Sequence, residues 1–179
     1  MEDLIQEEIR ELSNHLNTKL DQPISVYLIY NLSVVNALWT LISGSRFSLT
    51  DPKLIHLVNK MDELVKESGN ATLLNVFPAL RHVAPDFVGF TKAVKIMTSV
   101  VDVISDAIDQ HKTNYEKSKD ILKDDPRDFI DAYLNKIEDS PASSSFHSTL
   151  GFQNLRSVIL DLFFAGNVIN NHKKQKFII

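Results

Sequence analysis

The 179-residue sequence predicts an all-α fold, and its apolar pattern carries that prediction. Along most of the chain, apolar residues recur at spacings of three and four, which is the period of a helix that buries one face. No segment alternates apolar and polar residues cleanly enough to indicate a strand. Because the predicted helices far exceed the helical share of an average globular protein, we expect an all-α fold.

Prolines, a glycine and an aspartate delimit the first three predicted helices. The first covers about residues 2–20, before Pro23 breaks the pattern. The second is uncharged and continues to Gly44, a residue typical of helix ends. Asp51 is the expected N-cap of the third helix, with Pro52 in its first turn. The apolar faces comprise Leu4 or Ile5, Ile9, Leu12, Leu16 and Leu20 in the first helix, and Leu54, Val58, Met61 and Val65 in the third.

The rest of the chain predicts a short apolar segment, three more helices and one loop. The segment 73–85 begins at Leu73, ends at Pro85 and is mostly apolar. A long helix follows over about residues 87–115, and Asp125 with Pro126 is expected to cap the next helix. The serine-rich residues 140–151 predict a loop, after which the last helix begins near Phe152. The expected buried faces are Phe90, Val94, Met97, Val101, Ile104, Ile108, His111 and Tyr115 in the long helix, Phe129, Ile130, Tyr133, Leu134 and Ile137 in the next, and Leu155, Val158, Ile159, Leu162 and Phe163 in the last.

Composition and charge exclude several classes of function. A net charge of −4 with scattered basic residues predicts no nucleic-acid partner, and the basic cluster 173–176 is too short to change that. The absence of cysteine excludes disulfides, thiolate nucleophiles and sulfur-ligated metal sites. Residues 1–10 are acidic and amphipathic, which is unlike a signal or transit peptide. The uncharged segment 22–45 is long enough to span a membrane, but its polar residues favour a buried helix.

Residue spacing indicates no intact catalytic constellation. No two of the six histidines are four apart, so their spacing predicts no metal site. His111 lies on the apolar stripe of the long helix, where we expect it to pack with a hydrogen bond. The five scattered glycines form no phosphate loop, and no serine has a nucleophile elbow. We expect Glu7-Glu8-Ile9-Arg10 to be an ordinary solvated helical pair.

Four strings, in this order and at these spacings, carry a likeness to a known family. They are Asn36-Ala37-Leu38-Trp39-Thr40-Leu41-Ile42-Ser43-Gly44-Ser45-Arg46-Phe47, Asn75-Val76-Phe77-Pro78-Ala79-Leu80, Pro126-Arg127-Asp128-Phe129-Ile130-Asp131-Ala132-Tyr133-Leu134, and residues 154–166. Together they resemble the microsomal cytochrome P-450 family of haem-thiolate monooxygenases. The resemblance implies a partial cytochrome P-450 helical domain, from before the family's fifth helix to the first half of its long oxygen-activating helix.

The resemblance also implies a cofactor, partners and site residues. The cofactor is haem, whose iron is bound in the family by a cysteine thiolate that favours O–O cleavage. The partners are a lipophilic small-molecule substrate and a reductase, at the cytoplasmic face of the endoplasmic reticulum membrane. By resemblance, Ala165 and Gly166 face the haem and its oxygen, and Phe77, Phe163 and Phe164 line the substrate pocket. Two other interpretations stay open, since Phe163 and Phe164 could be core residues and Gly166 could end the helix.

The likeness stops after Gly166. The acid and the threonine that the family places next fall at Val168 and Ile169, which cannot relay a proton, and the cysteine loop is missing. We expect residues 1–166 to be a partial domain and residues 167–179 a divergent tail, as in a truncated or misspliced gene product. We also expect this chain to bind no haem stably and to be inactive alone. The alternative is a non-enzymatic helical interaction module that binds a partner or a membrane surface through its exposed apolar faces, with the segment 73–85 as the best anchor.

Overall fold

The computed structural model describes residues 2–18, 26–67 and 71–171. Within those ranges it contains eight helices and no strand, which confirms the predicted all-α class. The helices are α1 (Glu2–Asn17), α2 (Val26–Ser43), α3 (Pro52–Glu67), α4 (Ala71–Val76), α5 (Leu80–Val83), α6 (Phe90–Asp124), α7 (Phe129–Glu138) and α8 (Ser148–Asn171).

Two helix boundaries follow from local chemistry as predicted. Gly44 ends α2 with a φ of 62°, and its N–H donates to the Thr40 carbonyl at 2.9 Å. Glycine suits this position because it adopts the left-handed conformation without a side-chain penalty. Asp51 caps α3, since its Oδ1 accepts from the Lys53 N–H at 2.7 Å and Pro52 is the first helical residue.

Helices α1, α6 and α8 depart from their predicted bounds. Helix α1 ends at Asn17, while Leu20 and Pro23 lie outside the described residues. Helix α6 runs from Phe90 to Asp124, because neither proline nor glycine interrupts it after Gly89. The segment 73–85 contains most of α4 and all of α5, and α8 begins at Ser148 within the predicted loop.

The predicted cap of α7 is displaced by three residues. Asp128 caps it, because the Asp128 side chain accepts from the Asp131 N–H. Asp125 instead closes α6, where its N–H donates to the Ile121 carbonyl. The sequence offers an aspartate at both positions, and only the path of the chain between α6 and α7 decides which one caps.

Helix α2 lies at the centre of the packing. It contacts α1, α3, α7 and α8, while α6 packs against α3, α7 and α8. Helix α2 carries no charged residue, and neighbours on several sides bury such a helix as expected. In the part of the chain that the structure describes, no helix is both long and apolar enough to cross a membrane. The largest fully buried side chains are Phe163, Ile42, Leu54, Met61, Ile104, Ile108, Ile130, Leu155 and Ile159.

Some residues of the predicted buried faces are exposed. Val94 on α6 and Val158 on α8 are 46% and 37% exposed, respectively. On α8 the predicted burial of Leu155, Ile159 and Phe163, which are spaced four residues apart, is confirmed. On α1, Ile5 and Ile9 are about half exposed, so α1 covers the core less fully than its apolar pattern predicts.

Candidate functional site

Helix α8 carries four of the five residues assigned by resemblance. It continues through Gly166 to Asn171, so the interpretation of Gly166 as a helix end is wrong. Phe163 is fully buried and stacks on Trp39 of α2, with 5.7 Å between ring centroids. Phe164 is half-buried and packs against the same core. The two adjacent aromatic rings therefore differ in exposure.

Ala165 and Gly166 occupy different surroundings. The Ala165 side chain is exposed, which leaves this part of α8 uncovered. Gly166 lies against α2, where a Cβ atom would come within 2.4 Å of Leu38 Cδ1 and 3.9 Å of Val34 Cγ1. The absence of a side chain at Gly166 therefore allows α8 to approach α2 closely.

An apolar groove of about 460 Å³ runs between α1 and α2. Its lining consists of Leu4, Ile5, Glu8, Ile9, Leu12, Tyr30, Ser33, Val34, Ala37, Leu38 and Leu41. Two buried polar atoms of these lining residues, Glu8 Oε2 and Ser33 Oγ, have no hydrogen-bond partner among the described residues. The groove is lined mainly by apolar side chains and therefore suits an apolar occupant.

Phe77 lies apart from the buried residues that pack with α8. It follows α4, and its N–H donates to the Leu73 carbonyl at 2.8 Å. Its side chain is 59% exposed, and Val76 and Val83 beside it are 63% and 80% exposed. The structure thus brings Phe163, Phe164, Ala165 and Gly166 together on one helix and leaves Phe77 on an exposed apolar surface.

Glu8 forms a buried polar junction between α1 and α2, whereas Glu7 and Arg10, the pair predicted to be solvated, are both exposed. Its side chain is only 7% exposed, and Oε1 accepts from Arg46 Nε at 2.6 Å and from Asn36 Nδ2 at 2.8 Å. Asn36 is fully buried and also pairs with the Phe47 backbone, donating to its carbonyl and accepting from its N–H. A buried carboxylate is stable here because a guanidinium and an amide both donate to it.

A second polar junction surrounds His111. Its Nδ1 lies 2.8 Å from the Ala107 carbonyl, and its Nε2 lies 2.9 Å from Asp128 Oδ2. Asp128 Oδ1 accepts from the Asp131 N–H, and Asp131 accepts from Arg127 through both of its oxygens. The hydrogen bond to Asp128 raises the pKa of His111 above its ordinary value, against the opposing effect of burial. The predicted packing role of His111 with a hydrogen bond is confirmed.

Three potential metal ligands meet at this junction, which residue spacing did not predict. One ligand atom each from His111, Asp128 and Asp131 lies within 4.8 Å of the others. All of their side-chain oxygens and the His111 Nε2 already have protein partners, including the Arg127 guanidinium. We therefore assign an ion-pair network to this cluster, since a cation would have to displace Arg127 and the imidazole proton.

Comparison with known proteins identifies the family. A family model described as Cytochrome P450 matches residues 1–168. The chain is 34% identical over 174 residues to probable cytochrome P450 305a1 of Drosophila melanogaster, covering 93% of this chain and 33% of that protein. It is 34% identical over 148 residues to the farnesoate epoxidase of Bombyx mori, covering 81% and 27%. It is 32% identical over 170 residues to cytochrome P450 2D4 of Rattus norvegicus, covering 94% and 32%.

The chain belongs to the cytochrome P450 family. It spans about a third of the length of the curated relatives that it matches, so the structure is that of a partial cytochrome P450 domain. This confirms both the family and the partial fold that the four strings indicated.

This chain supplies no thiolate ligand for the haem iron of a cytochrome P450. Haem-thiolate chemistry requires a cysteine ligand to the iron, and none of the 179 residues is cysteine. The exposed Ala165 leaves a surface on α8 open, but no thiolate of this chain can oppose it. No step of oxygen chemistry is therefore assigned to residues of this chain.

Sequence reasoning missed both polar junctions. Glu8 and Arg46 are 38 residues apart, and His111 and Asp128 are 17 residues apart. A partial signal existed for the second junction, since Arg127 and Asp131 have the i,i+4 spacing of a helical ion pair. For Glu8 the available signal was its position between Leu4 and Leu12 on the apolar face of α1.

Proposed function

We propose that this chain is part of a haem-thiolate monooxygenase, which inserts one oxygen atom from dioxygen into a lipophilic substrate. The observation that carries the proposal is the family match over residues 1–168. The bound haem supplies oxygen activation in such an enzyme, and the surrounding protein supplies binding and orientation. The proposed partners are a lipophilic small molecule and an electron-donating reductase, at the cytoplasmic face of the endoplasmic reticulum membrane.

In this proposal, α8 contributes the wall of the active site and the α4–α5 region contributes part of its cover. Ala165 and Gly166 are proposed to face the haem, and Phe77, Phe163 and Phe164 to shape the substrate pocket. The exposed side chains of Ala165 and Phe77 support this assignment, because both have surface available for a further partner. The burial of Phe163 against Trp39 supports an indirect role for Phe163. In that role it fixes the position of α8, which carries Phe164, Ala165 and Gly166.

The chain by itself is proposed to be inactive, because it contains no cysteine to ligate haem iron. A haem titration of the purified chain, followed by absorbance, tests this proposal. We expect no saturable complex with the spectrum of thiolate-ligated haem. A stoichiometric complex with that spectrum would contradict the proposal.

A second measurement tests whether this chain is part of a longer, complete monooxygenase. Full-length transcripts can be sequenced across the codon for Gly166. We expect some of them to continue with an acid, a threonine and a later cysteine codon. If every transcript ends with the codon for Ile179, the proposal that this chain belongs to a working monooxygenase fails.

A second candidate function is contact with a membrane surface through the segment 73–85. The observation that favours it is the cluster of exposed apolar side chains, in which Leu73, Val76, Phe77 and Val83 are 44%, 63%, 59% and 80% exposed. A contiguous apolar patch of this kind can insert at a bilayer interface. This candidate needs neither haem nor a substrate.

Cosedimentation with phosphatidylcholine vesicles separates membrane contact from general stickiness. We expect the double substitution Phe77→Ser and Val83→Ser to weaken vesicle binding severalfold. The matched control is Ile121→Ser on α6, which removes an apolar side chain that is 72% exposed outside the cluster. If both variants lose binding equally, or neither does, the segment 73–85 is not the contact.

A further inference from the structure

The junction around His111 has a geometry that depends on the charge of the imidazole. Both ring nitrogens face acceptors, the Ala107 carbonyl at 2.8 Å and Asp128 Oδ2 at 2.9 Å. A neutral imidazole carries one N–H and can donate to only one of them, whereas the imidazolium donates to both. A protonated His111 therefore satisfies both acceptors at once.

Asp128 stands where three helices meet. Its side chain is 3% exposed, and its other oxygen caps α7 by accepting from the Asp131 N–H at 2.9 Å. Gly44, at the end of α2, comes so close that a Cβ atom there would lie 2.8 Å from Asp128 Oδ2. The imidazolium of α6 and the carboxylate that starts α7 thus meet against the end of α2.

The other charges around this pair are few and identifiable. The negative charge of Asp131, in the first turn of α7, also raises the pKa of His111. Arg127, just before α7, donates to both Asp131 oxygens. On α6 the neighbouring Lys112 lies 5.0 Å from the Phe152 ring of α8. Helix α2 presents Gly44, which has no side chain. Two carboxylates and one guanidinium therefore set the field in which His111 exchanges its proton.

The His111–Asp128 contact lies beside a kink in α6. Ser118 has non-helical dihedrals, φ −132° and ψ 28°, so α6 is kinked between His111 and its C-terminal end. The His111–Asp128 contact bridges that kink and the turn into α7. Beyond the kink, α6 and α7 are joined by other contacts, including Asn135 Nδ2 to the Leu122 carbonyl at 2.9 Å.

We propose that His111 and Asp128 form a proton-dependent clamp that holds the first turn of α7 against the middle of α6 and the end of α2. When His111 loses its proton, one acceptor loses its donor and the buried Asp128 carboxylate loses its counter-charge. The first turn of α7 then opens more often, while the contacts beyond the kink keep the helix in place. The clamp goes beyond the proposed monooxygenase role and does not depend on it.

Amide hydrogen exchange of the full chain tests the clamp. Protection factors for the amides of Ile130 to Tyr133 are compared at about pH 5.5 and about pH 8.5, on either side of the range in which histidine ordinarily titrates, after correction for intrinsic exchange. We expect the protection of wild type to fall about tenfold, the factor at the lower end for a lost charge-assisted hydrogen bond. In His111→Gln, protection should not change with pH, since an amide can donate to Asp128 but does not titrate.

The matched control is His56→Gln, which removes an exposed histidine of α3 and should keep the pH dependence of wild type. Equal protection of wild type at both pH values would overturn the clamp, and so would the same fall in His111→Gln.

An NMR titration of His111 covers the case in which His111→Gln does not fold. We expect the pKa of His111 to lie above the ordinary 6.5 in wild type and to fall in Asp128→Asn. Asparagine keeps the cap of α7 but removes the charge. An unchanged pKa in Asp128→Asn would show that Asp128 does not hold the proton and would overturn the clamp.

Discussion

The three phenylalanines that the resemblance assigns to one pocket lie in three different environments. Phe163 is fully buried against Trp39, Phe164 is half-buried against the core and Phe77 is 59% exposed. The hydrophobic stabilisation from a side chain scales with the apolar area it removes from water. At this scale the same residue type therefore contributes very differently to folding and to the surface available for a partner.

Alanine substitutions of the three rings should separate these contributions. We expect Phe163→Ala to lower the free energy of unfolding by about 3–5 kcal/mol, because it opens a cavity beside Trp39. Phe164→Ala should cost less, and Phe77→Ala should stay within about 0.5 kcal/mol of wild type. Urea unfolding followed by circular dichroism measures all three. Equal losses for Phe163→Ala and Phe77→Ala would contradict this assignment of burial.

At the scale of elements, a buried polar junction helps to hold helix α1 to α2. Ile5 and Ile9 are about half exposed, whereas Glu8 is buried and bound to Asn36 and Arg46. Removing one partner of a buried pair leaves the others without compensation, which costs more than losing a surface contact. The attachment of α1 should therefore be sensitive to a single residue.

Substitution of Glu8 tests how α1 is attached. We expect Glu8→Ala to lower the free energy of unfolding by about 2–3 kcal/mol, below the range for a wholly buried pair because the Arg46 side chain is 25% exposed. It should also remove hydrogen-exchange protection from α1. The control is Glu7→Ala on the exposed face of the same helix, which should change stability by no more than about 0.5 kcal/mol. Equal effects of the two substitutions would mean that Glu8 does not anchor α1.

At the scale of the whole molecule, stability in alkaline solution depends on Tyr115. Its hydroxyl lies 3.0 Å from Glu138 Oε2 and 2.5 Å from Asn135 Oδ1, so its single proton is shared between two acceptors that join α6 to α7. Burial, followed by the neighbouring Glu138 carboxylate, raises the pKa of Tyr115 from 10.0 to about 12. The folded state therefore holds this proton more tightly than the unfolded state does.

The stabilisation from the Tyr115 proton is fully present below pH 10.0 and is lost as pH rises toward about 12. We expect the urea midpoint of wild type to fall across this range and that of Tyr115→Phe to fall less, since phenylalanine does not ionise. Tyr30→Phe, which alters a tyrosine that is 51% exposed, should keep the slope of wild type. Parallel curves for wild type and Tyr115→Phe would contradict the linkage.

The sequence by itself determined the helical class, the family and the ends of helices that carry their own signals. The apolar period of three to four acts within one helix, and the cap at Asp51 and the stop at Gly44 act within one turn. Each of these signals needs no knowledge of what packs against the helix. The same holds for the missing thiolate ligand, because a residue type that is absent from the chain cannot be restored by folding.

The tertiary structure decided which residues meet across long separations. It placed Glu8 beside Arg46, His111 beside Asp128 and Gly166 against Leu38, and it chose Asp128 over Asp125 as the cap of α7. Helical periodicity shows which residues share a face but not which other helix that face meets. Ion pairs and close approaches depend on that choice, because they act over a few ångströms between elements distant in the chain.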